Sequence, residues 1–253
     1  MAPASIELRA LVAGVKLLSL DAGNTIIFLD HARIARFVSE RGFPLVTDDV
    51  VRAEGEAKRG LGGDEAAACL LLDIPWAGRD RPGGKGWGQV IGTSIHRAGV
   101  PASAVPALLE ELWDDHVRMN LYSLVPAGLG AAIDRVRKKL GVVVVVVSNS
   151  EGMLAALFEQ LGILPHFDLI VDSGILGVEK PDPRIFDAAL HPFDMAKSAA
   201  LHLGDTYATD VLGARAAGLR TALIDPYHHY DGLYPELLRV HGVVAVCEAM
   251  EAL

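Results

Sequence analysis

Short apolar runs alternate with amphipathic segments along most of the chain. Six runs predict strands at Lys16–Leu20, Val142–Val147, Leu169–Val171, Ala200–Leu203, Thr221–Ile224 and Val243–Val246. Between them, apolar residues recur at helical spacing in Leu129–Leu140, Gly152–Leu161, Pro183–Leu190 and Asp210–Ala217. Strands that alternate with helices in this way are typical of right-handed parallel crossovers. The pattern therefore predicts an α/β fold built on a doubly wound parallel sheet.

The stretch from Asp30 to Tyr122 breaks this alternation, because it contains no convincing strand pattern. It predicts helices at Ala32–Arg41, Asp48–Lys58, Glu65–Leu72, Gly88–Arg97 and Ser103–Asn120. We therefore predict an inserted α-helical cap domain at residues 30–122. The remaining segments, 1–29 and 123–253, are predicted to form one discontinuous Rossmann-like catalytic core.

Composition narrows the class of protein. The chain has 253 residues and is 51% hydrophobic, which is enough for a substantial core. Its longest aliphatic run, Val142–Val147, is too short to cross a bilayer, and we find no signal-peptide pattern. The formal net charge of -9 argues against binding nucleic acid or an anionic membrane. The two cysteines make no disulfide framework, so we expect a cytoplasmic protein, of unknown oligomeric state.

Polar residues follow the ends of four predicted strands. Asp21 follows the first strand, Ser148 and Asn149 follow the second, and Lys180 and Asp205 come after the next two. The carboxyl ends of parallel strands lie at one edge of a sheet, so we expect these side chains to converge. An aspartate can attack phosphorus, carboxylates suit Mg²⁺, and an ammonium or hydroxyl can bind phosphoryl oxygens. The set predicts phosphoryl transfer.

Four motifs in this order carry a resemblance to a known family. They are Asp-x-x-x-Thr from Asp21, Ser-Asn at Ser148, Lys-Pro-Asp-Pro from Lys180 and GDTYATDVLGARAAG from Gly204. Together they resemble the haloacid dehalogenase superfamily of hydrolases from about residue 15 onward. The helical insert resembles the cap of its dehalogenase and phosphoglycolate-phosphatase branch. The resemblance implies a Mg²⁺-dependent phosphatase that acts on a small phosphorylated metabolite.

The resemblance also implies a role for each matching residue. Asp21 would be the nucleophile that forms an aspartyl-phosphate, Lys180 would stabilise it, and Thr25 would orient its loop. The residues that would bind the phosphoryl group are Gly23, Asn24, Ser148 and Asn149. The residues that would bind Mg²⁺ are Asp21, Gly23 through its backbone carbonyl, Asp205 and Asp210. Asp210 alone is also compatible with a helix cap.

Gly23 departs from the family pattern, in which this position carries a second aspartate. That carboxyl protonates the leaving group and later activates water in the family's phosphatases. Loss of a general acid–base group typically lowers the rate by roughly 10²–10⁴-fold. Asp30 or His31 can be considered as replacements. Asn24 stands in place of a glycine, and Asn tolerates the left-handed conformation better than most residues.

Gly23 leaves other functions open. Phosphonatase-like and carbon–halogen hydrolases of the family also lack the second acid. A phosphonatase would need a cap lysine that forms a Schiff base, and Lys58 and Lys85 are the two lysines of the cap. A dehalogenase needs no metal, whereas Gly204–Asp210 retains the acidic metal pattern. A third alternative is a catalytically weakened protein that binds a phosphate ligand.

Overall fold

The computed structural model of the chain describes residues 5–62, 65–81 and 83–253. The chain divides into two compact units. One unit combines the segment up to Phe28 with Val125–Leu253, and the other is Leu29–Leu124. That these units act as a catalytic core and a cap stays a prediction.

The predicted α/β fold with a doubly wound parallel sheet is confirmed. The strands are β1 Leu17–Leu20, β2 Phe28–Leu29, β3 Tyr122–Leu124, β4 Val143–Ser148, β5 Leu169–Asp172, β6 Ala200–Gly204, β7 Arg220–Ile224 and β8 Arg239–Val240. Strands β2 and β3 form a two-stranded sheet. The other six form one sheet in the order β5-β4-β1-β6-β7-β8, and all of its pairs are parallel.

The central strands form where nearly every residue is apolar. All residues of β1 and β6 are buried, and β4 consists of valines up to Ser148. A strand covered on both faces has such an unbroken apolar run rather than an alternating pattern. Two polar residues interrupt these runs, and they are paired in register: Ser19 in β1 and His202 in β6. Both are fully buried, so each needs a hydrogen-bond partner inside the protein.

Helices flank the large sheet and build the second unit. They are α1 Ile6–Val12, α2 His31–Ser39, α3 Thr47–Leu61, α4 Glu65–Ala68, α5 Gly84–Arg97, α6 Val105–Arg118, α7 Leu129–Leu140, α8 Leu154–Gln160, α9 Ser173–Leu176, α10 Pro183–Leu190, α11 Gly213–Ala216 and α12 Val243–Glu251. Helix α10 packs Ile185 and Phe186 against a core shared with Leu17 and Val145. Helix α7 packs against β4 and α12.

The predicted strand at Val243–Val246 is wrong, because this segment begins helix α12. Its buried residues Val243, Val246, Cys247 and Met250 recur at helical spacing, and the helix packs on α7 and α1. Tertiary packing thus overrides the β-propensity of the valines. The sixth strand of the sheet is instead the short β8, immediately before this helix.

Two predicted helices differ from the observed elements. The helix predicted over Asp210–Ala217 begins within a π-helical segment, Tyr207–Leu212, and only α11, which follows that segment, is α-helical. Such π-helical turns occur often at functional sites. The helix predicted at Glu65–Leu72 ends at Ala68, as α4.

The second unit is helical and has a core of its own. Helices α2, α3, α5 and α6 contribute to one buried cluster. At its centre the rings of Trp76, Trp87 and Trp113 lie 5.0–5.3 Å apart, and His116 packs on Trp87 and Trp113. Among the residues described in both units, no helix combines the length and apolar character needed to span a membrane.

Candidate active site

Asp21 lies where the strand order of the sheet reverses. From β1 the chain moves to β4 and β5 on one side, and it then returns to β6 on the other side. Ligands of doubly wound sheets bind at this switch point, outside the carboxyl ends of the strands. The Asp21 N–H donates to the carbonyl of Leu203 in β6 at 2.8 Å, which fixes the start of the loop.

A tight turn follows Asp21. The carbonyl of Ala22 accepts hydrogen bonds from the N–H groups of Thr25, Ile26 and Ile27. Asn24 has a φ of 53°, in the left-handed region that an asparagine tolerates. Thr25 is buried, and its hydroxyl makes no hydrogen bond with any described residue. The turn itself thus rests on backbone hydrogen bonds rather than on the Thr25 side chain.

Ser148 and Lys180 both contact the Asp21 carboxylate. The Ser148 hydroxyl donates to Asp21 Oδ1 at 2.9 Å, and Lys180 Nζ donates to the same oxygen at 2.6 Å. All three side chains are buried. Residues that are 127 and 159 positions away from Asp21 therefore meet at one carboxylate oxygen. The expected convergence of strand-end side chains is seen for these three residues.

Asn149 lies against the backbone of Lys180. Its Oδ1 accepts from the Lys180 N–H at 2.7 Å, and its Nδ2 donates to the Lys180 carbonyl at 2.9 Å. Both ends of the amide are thereby used in holding the segment that carries the lysine. The structure thus shows Asn149 bound to the backbone of Lys180, and its expected part in binding a phosphoryl group stays a prediction.

Asp210 is surrounded by three donors. Its Oδ1 lies 2.5 Å from Lys180 Nζ and 3.2 Å from His202 Nε2, and its Oδ2 accepts from the Thr206 N–H at 2.9 Å. Burial alone would raise the pKa of Asp210, but Lys180 and His202 outweigh it and hold the pKa well below its usual range. Burial lowers the pKa of Lys180, yet Asp21 and Asp210 reverse this effect and raise it. The pair is therefore ionised.

His202 and Ser19 extend this network below the site, and the sequence analysis missed both. A carboxylate only accepts hydrogen bonds, so the contact with Asp210 requires the proton on His202 Nε2. Nδ1 then accepts from the Ser19 hydroxyl, at 2.8 Å. Burial lowers the pKa of His202, which favours this neutral ring. The signal in the sequence was a polar residue inside each of two apolar strand runs.

Gly204, at the end of β6, allows the close approach of Asp210. A Cβ atom at this position would overlap the Asp210 carboxyl group. The next residue, Asp205, is buried and accepts a hydrogen bond from the Thr206 hydroxyl at 3.2 Å. The glycine therefore lets the two acidic side chains of this motif lie at the same end of β6.

Three carboxylates gather at this edge of the sheet. One carboxylate oxygen from each of Asp21, Asp205 and Asp210 lies within 4.8 Å of the others. Lys180 donates hydrogen bonds to two of these carboxylates, those of Asp21 and Asp210. Hard cations such as Mg²⁺ prefer carboxylate and carbonyl oxygens. The three carboxylates therefore form a donor set that is suited to a divalent cation.

The loop after β4 is fixed by Asp172, at the end of β5, which the motif analysis also missed. Its carboxylate accepts hydrogen bonds from the N–H groups of Gly152, Leu154 and Gly174. Glu151 lies in the same loop, where burial raises the pKa of its carboxyl to about 7, with a smaller contribution from Asp172. A carboxyl of this kind titrates near neutral pH.

Asp30 and His31 are occupied within the helical unit. Asp30 Oδ1 accepts from the Arg33 N–H at 2.8 Å and caps helix α2. His31 Nε2 lies 2.6 Å from Glu54 Oε2, and both side chains are buried. Both residues therefore have structural roles within the helical unit.

The fold and this site define a class of protein: a Rossmann-like α/β protein with carboxylates clustered at the carboxyl edge of its parallel sheet. The model of the haloacid dehalogenase-like hydrolases matches residues 15–218. The chain therefore belongs to that family of hydrolases.

Individual relatives agree with this assignment. The haloacid dehalogenase-like hydrolase domain-containing protein 3 of Bos taurus is 35% identical over 54% of this chain and 55% of its own length. The chain thus spans about half the length of this curated relative. A phosphoserine phosphatase of Thermus thermophilus is 31% identical over 68% of this chain and 69% of its own length. The crystal structure of a phosphatase of this superfamily from Thermococcus onnurineus shares the fold, with a TM-score of 0.56, 18% identity and coverage of 94% and 97%.

Proposed function

We propose that the protein is a Mg²⁺-dependent phosphatase of small phosphorylated metabolites, which forms an aspartyl-phosphate on Asp21. The observation that carries this proposal is the pair of donors on Asp21 Oδ1, Ser148 Oγ and Lys180 Nζ. No described residue donates a hydrogen bond to Oδ2, which is thus available to attack phosphorus. The phosphatase class is supported by the relative from Thermus thermophilus named as a phosphoserine phosphatase.

Asp21, the backbone carbonyl of Gly23 and Asp205 would hold the Mg²⁺ ion. Both oxygens of Asp210 already accept hydrogen bonds, so this residue would position Lys180 rather than bind the ion directly. The bound ion would supply positive charge that offsets the repulsion between the nucleophile and the phosphate. This division assigns different tasks to the two acids of the Gly204–Asp210 motif.

The remaining groups of the site would bind the transferred phosphoryl group. When substrate enters, the Ser148 hydroxyl can turn from Asp21 toward a phosphoryl oxygen. Backbone N–H groups of the turn after Asp21 can also donate hydrogen bonds to the phosphoryl group. Lys180 stays between Asp21 and Asp210, where its charge stabilises the negative charge that the reaction concentrates at the site. Asn149 keeps the lysine in place through its backbone.

A substrate screen tests this proposal. The purified protein should release inorganic phosphate from members of a broad phosphate-ester panel when Mg²⁺ is present, and chelation should stop release. Asp21→Asn keeps the size of the side chain but removes the nucleophile, so we expect a loss of activity of at least about a thousandfold. Hydrolysis by Asp21→Asn at the wild-type rate, or no hydrolysis by the wild type, would contradict the proposal.

A further inference from the structure

The donors around Asp21 lie on the side of the nucleophile. In an in-line displacement, the attacking and leaving oxygens lie on opposite sides of phosphorus. Ser148 and Lys180 both bind Asp21 Oδ1, and Lys180 Nζ also donates to Asp210. Lys180, held between Asp21 and Asp210, is therefore poorly placed to give a proton to the leaving oxygen, and the Ser148 hydroxyl is a very weak acid.

The turn after the nucleophile provides no acid. From Ala22 to Ile27 it consists of residues without an ionisable side chain. Gly23 has no side chain at all, and the buried Thr25 hydroxyl is a very weak acid. The chain segment that carries Asp21 therefore cannot protonate a departing group.

Glu151 is the other carboxyl to consider in the strand-end loops of β1 and β4. The charge that it faces is Asp172, at the end of β5. Strand β5 is the outermost strand of the sheet and is separated from β1 by β4. The backbone of Glu151 packs against Gly174, shortly after β5, where a Cβ would come within 2.8 Å of the Glu151 carbonyl carbon. The contacts that the structure gives Glu151 are therefore on the β5 side of its loop.

We infer that the preferred substrates have leaving groups that depart as stable anions: aryl phosphates, acyl phosphates and phosphoanhydrides rather than alkyl phosphates. This inference rests on the proposed phosphatase function and specifies its substrate class. A phenolate, carboxylate or phosphate leaves without a proton, whereas an alkoxide is strongly basic and needs a general acid. The geometry around Asp21 thus selects substrates by the basicity of the leaving group.

The two steps can be written for such a substrate. Asp21 Oδ2 forms a bond to phosphorus while the bond to the leaving oxygen breaks, and the leaving group keeps the electron pair. Water then attacks phosphorus, the bond from phosphorus to Asp21 breaks, and the water proton passes to solvent or to the released phosphate. Because the turn holds no general base for the second step, the aspartyl-phosphate should accumulate with good substrates.

A series of leaving groups of similar size tests the inference. We would measure kcat/KM with Mg²⁺ for 4-nitrophenyl, phenyl and benzyl phosphate. The kcat/KM of the wild type should be at least about a hundredfold higher for 4-nitrophenyl phosphate than for benzyl phosphate. A general acid typically contributes at least this factor to the departure of a basic leaving group. It should also show a burst of 4-nitrophenol, with one phosphoryl group on Asp21 by mass spectrometry after acid quenching.

Two variants of Gly23 separate the effect of an acidic group from the effect of a larger side chain. Gly23→Asp should reduce the preference to less than about tenfold by restoring a proton donor. Gly23→Asn has the same shape without the acid and should keep the steep preference. Glu151→Gln should also leave the preference unchanged.

The outcomes distinguish this inference from the proposed function. Similar kcat/KM values for all three substrates in the wild type would overturn the inference while leaving the phosphatase proposal intact. A preference that steepens in Glu151→Gln would overturn it as well and would identify Glu151 as the acid. Absence of hydrolysis with every substrate would overturn both. Should the Gly23 variants not fold, the wild-type series and Glu151→Gln still decide.

Discussion

Three donors surround Asp210, and His202 is the one that lies deepest in the sheet. Its imidazole joins the hydroxyl of Ser19 on β1 to the carboxylate of Asp210 beyond β6. Asp210 in turn holds Lys180 beside Asp21. A residue that touches no substrate can therefore set the position of the lysine, as partners behind an active site commonly do.

We predict that His202→Leu lowers kcat by about 10- to 100-fold while KM changes less than about threefold. The leucine fills the space but donates no hydrogen bond to Asp210, so Asp210 loses one of its three donors and holds Lys180 less firmly. Steady-state kinetics on the preferred phosphate ester would measure this split.

His202→Gln is the matched control, because the glutamine amide can donate from nearly the same position as Nε2. It should recover most of the lost kcat. Equal losses in the two variants would mean that His202 acts through packing alone, and that the network does not position Lys180.

At the scale of elements, the sequence predicted those helices and strands whose apolar residues match the face that is buried in the structure. Helices α7 and α10 have the predicted bounds, because their apolar stripes face a core. Helix α12 was mistaken for a strand, because its valines have a β-propensity that long-range packing on α7 overrides. The π-helical turn before α11 contains Asp210, which lies close against Gly204, and no local pattern in the sequence reveals this contact.

The same distinction applies to the candidate site. Asp21, Ser148 and Lys180 could be predicted to meet because each follows a strand of a parallel sheet. The contacts of Ser19 and His202 depend on the register between β1 and β6, and the sequence does not encode that register in any short motif. The contacts of Asn149 likewise depend on where the fold places the backbone of Lys180.

Helix α2 depends on Asp30 as its N-terminal cap. We predict that Asp30→Ala destabilises the helical unit by about 1 kcal/mol, because the Arg33 N–H loses its acceptor. Asp30→Asn retains a capping oxygen and should stay within about 0.5 kcal/mol of the wild type. Urea unfolding followed by tryptophan emission measures both.

Activity of the same variants tests whether Asp30 has a second role. If the residue acts only as a cap, Asp30→Asn should keep the wild-type kcat. A stable Asp30→Asn protein that has lost activity would instead indicate a part in proton transfer.

At the scale of the whole molecule, the acidic cluster links metal binding to stability. One carboxylate oxygen from each of Asp21, Asp205 and Asp210 lies within 4.8 Å of the others, and a divalent cation bound there would offset the repulsion among them. We predict that Mg²⁺ at a hundredfold its Kd stabilises the wild type by about 2.7 kcal/mol, as measured by far-ultraviolet circular dichroism. Asp205→Asn should lose this stabilisation.

Asp194→Asn is the control for a simple change in net charge. Asp194 is exposed and has a φ of 48°, which an asparagine also adopts readily. This variant should respond to Mg²⁺ as the wild type does. An equal response of Asp205→Asn would remove Asp205 from the metal site.

The tryptophans give the molecule a probe that reports on one unit. All three, Trp76, Trp87 and Trp113, lie in the helical unit beside His116. Burial lowers the pKa of His116 to about 4, with a further contribution from Arg33 that Asp115 opposes in part. The His116 Nδ1 accepts from the Leu121 N–H, so the native ring is the neutral form.

Acid should therefore destabilise the helical unit through His116. The unfolded chain binds this proton near pH 6.5 and the folded chain only near pH 4, so stability is complete above pH 6.5 and is lost as the pH falls toward 4. The shift corresponds to about 3 kcal/mol. We predict that urea midpoints from tryptophan emission fall over this range. His116→Asn keeps an acceptor for the Leu121 N–H and should reduce the decrease of the urea midpoint between pH 6.5 and pH 4. The control His228→Asn, at an exposed histidine, should show the same decrease as the wild type. An unchanged pH dependence in His116→Asn would show that other groups take up the proton.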